Sequence, residues 1–258
     1  LRILTVLTYY APHWTGLTAH AVRLAEGLAA RGHEVTVLTT RHTPELSREE
    51  VVNGVRVVRL RPVGRFSRGM IAPGFPLALW RLLGEHDVVH LHTPLPEALL
   101  AASLAWLQDT PCVMTHHGDI VMPPGLLEGL VERAASVIHL GAGALSYAVT
   151  SYSADYSASS RLLTRLDKKV RVIAPPVSLP PPDRAAAAAW RAELGLEDKT
   201  LLAFAGRWVE EKGFDVLLRA LPLVRGEIPN AHLVYAGEPN VAYEDFFARC
   251  RPLLDFVR

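Results

Sequence analysis

A strand, a short charged loop and a helix are written into AFAGRWVEEKGFDVLLRAL, residues 203–221, and the loop carries two cations, Arg207 and Lys212. The apolar run LLAFA (201–205) stops at Gly206. Gly213 then precedes a helical pattern with Phe214, Leu217, Leu218 and Leu221 on one face. A helix start offers unpaired N–H groups and the positive end of its dipole, so cations beside it deepen an anion site. A diphosphate has enough oxygens for a guanidinium fork, an ammonium and backbone amides together, and suits this loop better than a carboxylate does. Taken alone, the pair also reads as solvated charge on an ordinary connection.

Other candidates stand where apolar strands end. Gly16 closes the turn YYAPHWTG (9–16) and opens a helix. Lacking a Cβ, it lets a phosphate approach the helix N-terminus, although a turn glycine needs no such reason. His90 and His92 alternate onto one strand face. A metal there would need further ligands within reach, and packed, hydrogen-bonded rings are the simpler account. In THHGD the adjacent His116 and His117 follow a buried strand and face different ways, so one packs while the other meets a cleft, with Gly118 and Asp119 beside them. GAGALS (141–146) imitates a dinucleotide fingerprint, but Ser146 stands where the third glycine belongs. The chain has no G-x-x-x-x-G-K-[ST], G-x-S-x-G, H-E-x-x-H or D-x-D.

The hydrophobic pattern supplies a frame for these residues. LRILTVLT (1–8) reads as a buried strand. A helix follows with Leu17, Ala21, Leu24, Ala25 and Leu28 inward, closed by Gly32, and then the strand VTVLTT. This is a βαβ unit and implies a parallel sheet. Asn53-Gly54 marks a turn before the strand VRVVRL (55–60), and residues 61–76 form a Gly- and Pro-rich loop suited to a lid or acceptor-side segment. Next come a short helix LALWRLLG and the strand VVHLH (88–92). The helix over 97–107 is expected to turn Leu99, Leu100, Ser103, Leu104 and Leu107 inward. Further strands are expected at CVMT (112–115), SVIHL (136–140) and VRVIA (170–174). The cluster from Pro175 to Pro182 marks a domain boundary. Beyond it a helix capped by Asp183 leads into a second βαβ: strand 201–205, helix 213–224, strand 232–237, then a helix from about Tyr243. The expected fold is α/β, with one complete Rossmann-like parallel-sheet domain at 1–176 and the first part of a second at 177–258.

Composition bounds the function. Half of the 258 residues are hydrophobic, 21% are charged and the net charge is +1, which offers nucleic acid no basic surface. Cys112 and Cys250 form no metal-ligand spacing, so a reduced, cytoplasmic setting is expected. No apolar run is long enough to span a bilayer and no signal peptide is visible. Leu1 in place of a Met and the abrupt ending RCRPLLDFVR suggest a piece of a longer chain.

Read in order, YYAPHWTGLTAHAVRLAEGLAARGHEVTVLTT, VVHLHTP, THHGD, VRVIAPPV and AGRWVEEKGFDVLLRAL resemble glycosyltransferase family 4. The resemblance implies GT-B architecture, in which two Rossmann-like domains face one another across a cleft. It places Gly16 at the donor phosphate, with Thr15 standing where many members have a second glycine. It places His117 beside the donor sugar as the catalytic position, Arg207 and Lys212 on the donor diphosphate, and Asp119 toward the acceptor. It further implies retention of anomeric configuration. With no D-x-D to hold Mg²⁺, charge on the leaving diphosphate falls to Arg207, Lys212 and helix N-termini, so neither metal nor cofactor is expected beyond the nucleotide-sugar substrate. The family's paired glutamates, eight positions apart, have no match after residue 237.

The implied function is a hexosyltransferase acting on a glycan, glycolipid or lipid-linked acceptor. Peripheral contact with the inner membrane face is possible through Phe66, Met70, Ile71 and Phe75. The competing readings are a non-catalytic or inactive nucleotide-sugar-binding fragment, an NAD-dependent oxidoreductase and a nucleotide-sugar epimerase. The missing G-x-G-x-x-G in the first βα turn weighs against the oxidoreductase.

Overall fold

The structure, a computed structural model, describes residues 1–66, 69–122, 125–177, 181–237 and 245–254. Contacts divide the chain into two compact units, Leu1–Ser178 and Leu179–Arg258.

The first unit runs β1 (Arg2–Val6), α1 (Gly16–Ala29), β2 (Glu34–Thr40), β3 (Glu49–Val52), β4 (Val55–Leu60), β5 (Gly64–Phe66) and β6 (Gly69–Ile71). It continues with α2 (Phe75–Leu83), β7 (Val88–Thr93), α3 (Ala98–Leu107), β8 (Cys112–His116), α4 (Leu126–Leu145), β9 (Ala148–Ser151), α5 (Ala154–Ser159) and β10 (Val170–Val172). Eight strands form one sheet in the order β10-β9-β8-β7-β1-β2-β4-β3, parallel throughout except where β3 folds back on β4. Because β1 lies between β2 and β7, successive crossovers leave it in opposite directions. Connections that diverge in this way open a crevice at the carboxyl ends of β1 and β7, the topological switch point where ligands of such sheets bind.

Both faces of the sheet are covered. α1 packs Ala21, Val22 and Ala25 against Ile3, Val35, Val37 and Val57. On the other face Phe75, Leu79 and Leu83 of α2 and the alanines of α3 meet Leu4, Val89, Leu91 and Met114. Arg59, buried in β4, is held by Glu50 across the β3–β4 pair at 2.6 Å and donates to the Ala11 carbonyl.

Several expectations are corrected here. SVIHL is not a strand; it lies inside the twenty-residue α4, and the strand beside β8 is β9, which starts at Ala148 after α4 ends at Leu145. α3 turns Ala98, Ala101, Ala102 and Ala105 inward, whereas Leu100 and Leu107 are exposed. Leu99 packs instead against α4, where a glycine makes room for it: a Cβ on Gly141 would stand 2.8 Å from the Leu99 side chain. Gly143 is similarly pressed against Leu166 and Met114, so the glycines of GAGALS serve helix packing. Residues 61–76 are not a plain loop: β5 and β6 pair as an antiparallel hairpin, and Phe75 opens α2 inside the core, where it cannot meet a membrane.

The second unit comprises α6 (Arg184–Glu193), β11 (Thr200–Ala205), α7 (Phe214–Glu227), β12 (Ala231–Ala236) and α8 (Phe246–Leu254), with β11 and β12 forming a two-stranded parallel sheet. Asp183 caps α6 by accepting from the Ala186 amide. Tyr243, the expected start of the last helix, lies outside the described residues. The core joins Trp208, Phe214, Leu218, Phe246 and Cys250. Two glycines meet where the strands end: the Gly206 amide donates to Ala236 at 3.0 Å, and a Cβ on Gly237 would lie 1.9 Å from the Gly206 carbonyl oxygen. Backbone cannot yield as a side-chain tip can. Gly237→Ala is therefore expected to cost on the order of 1–3 kcal/mol and to loosen the β11–β12 pair. Hydrogen exchange of the β11 and β12 amides checks this, and unchanged protection would refute it.

Candidate functional site

The carboxyl ends of β7 and β8 and the first turns of α1 bring three histidines together at the switch point. His92 is next to last in β7 and is fully buried; His117 follows β8; His20 lies on α1. His92 Nδ1 and His117 Nε2 are 2.9 Å apart, and the Tyr152 hydroxyl is hydrogen-bonded to His117 Nδ1. The His20 ring sits edge-on to His117, 5.1 Å between centroids, and 5.1 Å from Tyr152. Pairing of β7 with β8 sets this arrangement, since His92 stands opposite Thr115 and the His117 amide donates to the Thr93 carbonyl at 3.0 Å.

Burial governs the protonation of these rings. It lowers the His117 pKa to about 3, and the neighbouring His20, His90 and His116 add to the effect. His92 is pushed well below the ordinary histidine range by burial and then by the other histidines, and His20 is lowered by burial. At neutral pH the three rings are uncharged imidazoles. Each therefore has one N–H and one lone pair, which hydrogen-bond or coordinate without attracting an anion.

The adjacent histidines divide their roles as the strand's alternation requires. His116 is buried, with Nδ1 at Thr93 Oγ1 and Nε2 at 3.0 Å from Asp119 Oδ1. Asp119 also accepts from Ser160 Oγ and from the Arg161 amide, so both its oxygens are committed to the protein. Burial raises its pKa, but the bonds from His116, Ser160 and Arg161 outweigh that and hold it below the usual carboxylate range. Asp119 thus clamps the loop after β8 to the segment after α5. It lines a cavity of about 720 Å³ with His139, Arg133, Arg161 and Arg165. His90 donates to or accepts from Thr115 Oγ1 at 2.7 Å and is a packed strand residue.

Gly16 is the first residue of α1, and Thr15 caps the helix by accepting from the Thr18 amide at 3.1 Å. No atom of the described residues beyond its chain neighbours and its own helix backbone lies within 4 Å of the place a Gly16 Cβ would occupy. No contact among the described residues requires glycine there. Gly16 and His20, four residues apart, share one face of α1, so the open helix N-terminus and the histidine cluster address the same crevice.

Arg207 and Lys212 belong to the second unit. Trp208 is buried in its core and Val209 is buried too, so the loop between β11 and α7 is anchored between its two cations. Arg207 is half exposed, 3.4 Å from Glu211, and Glu210 is held by Arg249 at 2.6 Å. A turn of 3-10 helix ends at Lys212, and Gly213, at φ 65°, starts α7.

Residues 14–180, well over half of the chain, match the profile of Glycosyltransferase Family 4. The chain belongs to glycosyltransferase family 4. An uncharacterized glycosyltransferase of Methanocaldococcus jannaschii is 29% identical over 93% of this chain and 64% of its own length. A phosphatidyl-myo-inositol mannosyltransferase of Propionibacterium freudenreichii is 28% identical over 92% and 62%. The chain therefore spans a little under two thirds of these curated relatives. Among solved structures, Anabaena HepE in complex with UDP and glucose superposes with a TM-score of 0.70 at 14% identity, covering 99% of this chain and 66% of that one. Sucrose-phosphate synthase of Thermosynechococcus elongatus gives 0.67 at 18%, covering 99% and 67%. The fold is the α/β fold of GT-B glycosyltransferases.

Two members of the cluster escape a reading of the sequence. His20 has a signal, its spacing of four from Gly16. Tyr152 has none, since it lies in a Ser- and Tyr-rich stretch whose strand is only four residues long. Among the described residues, no helix is long and apolar enough to cross a membrane.

Proposed function

We propose that this family 4 sequence serves retaining transfer of a hexose-type sugar from a nucleoside-diphosphate sugar to an acceptor hydroxyl, with no divalent cation on the diphosphate. The observation that carries the reading is the pairing of an open α1 N-terminus at Gly16 with His117 at one switch-point crevice. Gly16 receives donor phosphate at that helix end. His117, uncharged and oriented by Tyr152 and His92, stands beside the donor sugar. Arg207 and Lys212 hold the diphosphate as negative charge builds on it and the sugar gains oxocarbenium character. Asp119 serves the acceptor side by fixing the loop after His117. The names of the relatives support the reading: one is a phosphatidyl-myo-inositol mannosyltransferase, and another, from Jonesia denitrificans, is a D-inositol 3-phosphate glycosyltransferase. A lipid-linked or polyol acceptor, met in the cytoplasm or at the inner membrane face, follows from the same likeness.

The test is incubation of the protein with UDP- and GDP-sugars and a panel of polyol, glycan and lipid acceptors in the presence of EDTA. Product is read by mass spectrometry and its anomeric configuration by NMR. Transfer with retention that survives chelation is expected. Inverted product, chelator-abolished transfer, isomerised donor without acceptor, or NADH binding in place of nucleotide-sugar binding would each overturn a stated part. Donor binding without turnover would reduce the protein to a nucleotide-sugar binder.

A further inference from the structure

We propose that His20, His92 and His117 form a binding site for a borderline transition-metal ion, with Zn²⁺ as its reference occupant. One ring nitrogen from each lies within 4.8 Å of the others. Three imidazoles bound to a tetrahedral ion at about 2.0–2.1 Å would have ring centroids about 5.2 Å apart and ligating nitrogens about 3.3 Å apart. The observed centroid separations are 5.1 Å for His20 and His117, 5.2 Å for His92 and His117, and 5.7 Å for His20 and His92. His92 Nδ1 and His117 Nε2, 2.9 Å apart, are hydrogen-bonded to each other, so an ion taken by His117 Nε2 replaces that bond and requires the rings to rotate.

Two nitrogens of the cluster, one on each of two of its rings, stand without hydrogen-bond partners among the described residues: the buried His20 Nδ1 and His92 Nε2. Leaving such nitrogens unsatisfied is costly, and buried polar atoms in folded proteins are as a rule partnered. The surroundings of His117 fit a ligand too. A metal-bound imidazole usually gives its second N–H to an oxygen, and the Tyr152 hydroxyl holds His117 Nδ1 in this way, so Nε2, bonded to His92 Nδ1, is the nitrogen that would take the ion. The donor set is all imidazole. That selects Zn²⁺, Co²⁺, Ni²⁺ or Cu²⁺ over Mg²⁺ and Ca²⁺, which take oxygen ligands. His90 is excluded as a fourth ligand through Nε2, which is spent on Thr115.

The ion would not assist the leaving diphosphate; it would occupy His117. That consequence, inhibition of transfer, rests on the donor-sugar reading above, whereas the site itself does not.

Cobalt titration of the protein, without donor or acceptor, tests the site. One Co²⁺ per chain is expected to give the intense visible absorption of a four-coordinate ion, and Zn²⁺ to abolish it by displacement. His20→Ala and His92→Gln should each remove the band, while His13→Ala and His42→Ala, in a separate aromatic cluster with Tyr9, should keep it. Should His92→Gln not fold, His20→Ala decides alone, because that ring is only partly buried and its helix stays capped at Thr15. Weak absorption of six-coordinate cobalt only, or a band unaltered in His20→Ala, overturns the site. A band without Zn²⁺ inhibition of an otherwise active enzyme overturns the inhibitory role and keeps the site. Absence of transfer under all conditions tells against the proposed reaction and leaves the cobalt result standing.

Discussion

Arg207→Ala is expected to lower kcat/KM for the donor by about 10²–10³-fold, the effect of removing one preorganised donor from developing negative charge. The loop geometry says why the loss should fall on the ligand and not on the fold. Trp208, immediately after Arg207, is buried among Phe214 and Phe246, and Val209 is buried as well, so the backbone that presents the guanidinium is held whether or not Arg207 is present. The ion pair with Glu211 at 3.4 Å joins two exposed side chains and contributes at most about 1 kcal/mol. Thermal stability should therefore change little. Lys212→Ala should be milder, since an ammonium is a single point of charge, and Arg207→Lys should rescue poorly because it cannot offer two parallel N–H bonds to phosphate. Calorimetry with UDP or GDP separates binding from turnover. Equal donor affinity in the wild type and Arg207→Ala would remove the diphosphate role.

The frame of the first unit is legible because parallel strands carry continuous apolar runs and the connections between them carry turn residues. LRILTVLT, VTVLTT and VVHLH are strands of the sheet at nearly the expected positions. The misreadings share one physical origin, which is that a short apolar run looks the same whether helix or strand buries it. SVIHL is β-branched and apolar, yet His139, Ala142 and Gly143 at spacings of one and three are the buried face of α4. On α3, hydrophobicity alone would turn the leucines inward, yet the buried face is Ala98, Ala101, Ala102 and Ala105, which lie against the sheet. Strand β3 carries two glutamates in four residues and is stabilised by its pairing with β4, a contact that local pattern does not encode. For the site, individual positions are visible as glycine, histidine or cation at strand ends. The meeting of His20 with His92 and His117 depends on strand order, with β1 next to β7 and β7 next to β8, and strand order is not written in spacing.

Acid is expected to unfold the first unit well before carboxylate protonation alone would do so. Burial lowers His117 to about 3 and His90 and His139 to about 4; His20, His42, His92 and His116 are lowered as well. In the unfolded chain each of these rings titrates near its model value of 6.5. Their folded pKa values lie below the unfolded ones, so the unfolded state binds more protons as pH falls from about 6.5 toward 4. Stability is full above the unfolded value and declines through that window. Each withheld proton costs about 1.4 kcal/mol per pH unit, and with several such rings the loss reaches several kcal/mol, a large share of a typical domain's stability. Glu97, raised by burial, works in the opposite sense, but it is one group against seven. Asp87 and Asp119, both lowered, add to the loss only at still lower pH. Urea midpoints should fall steeply between about pH 6.5 and 4.5, and His90→Gln, whose amide can still meet Thr115, should flatten the slope by roughly one proton. A midpoint constant across that window would mean that the cluster accepts protons while folded, and the uncharged state assigned to His117 beside the donor sugar would fall with it.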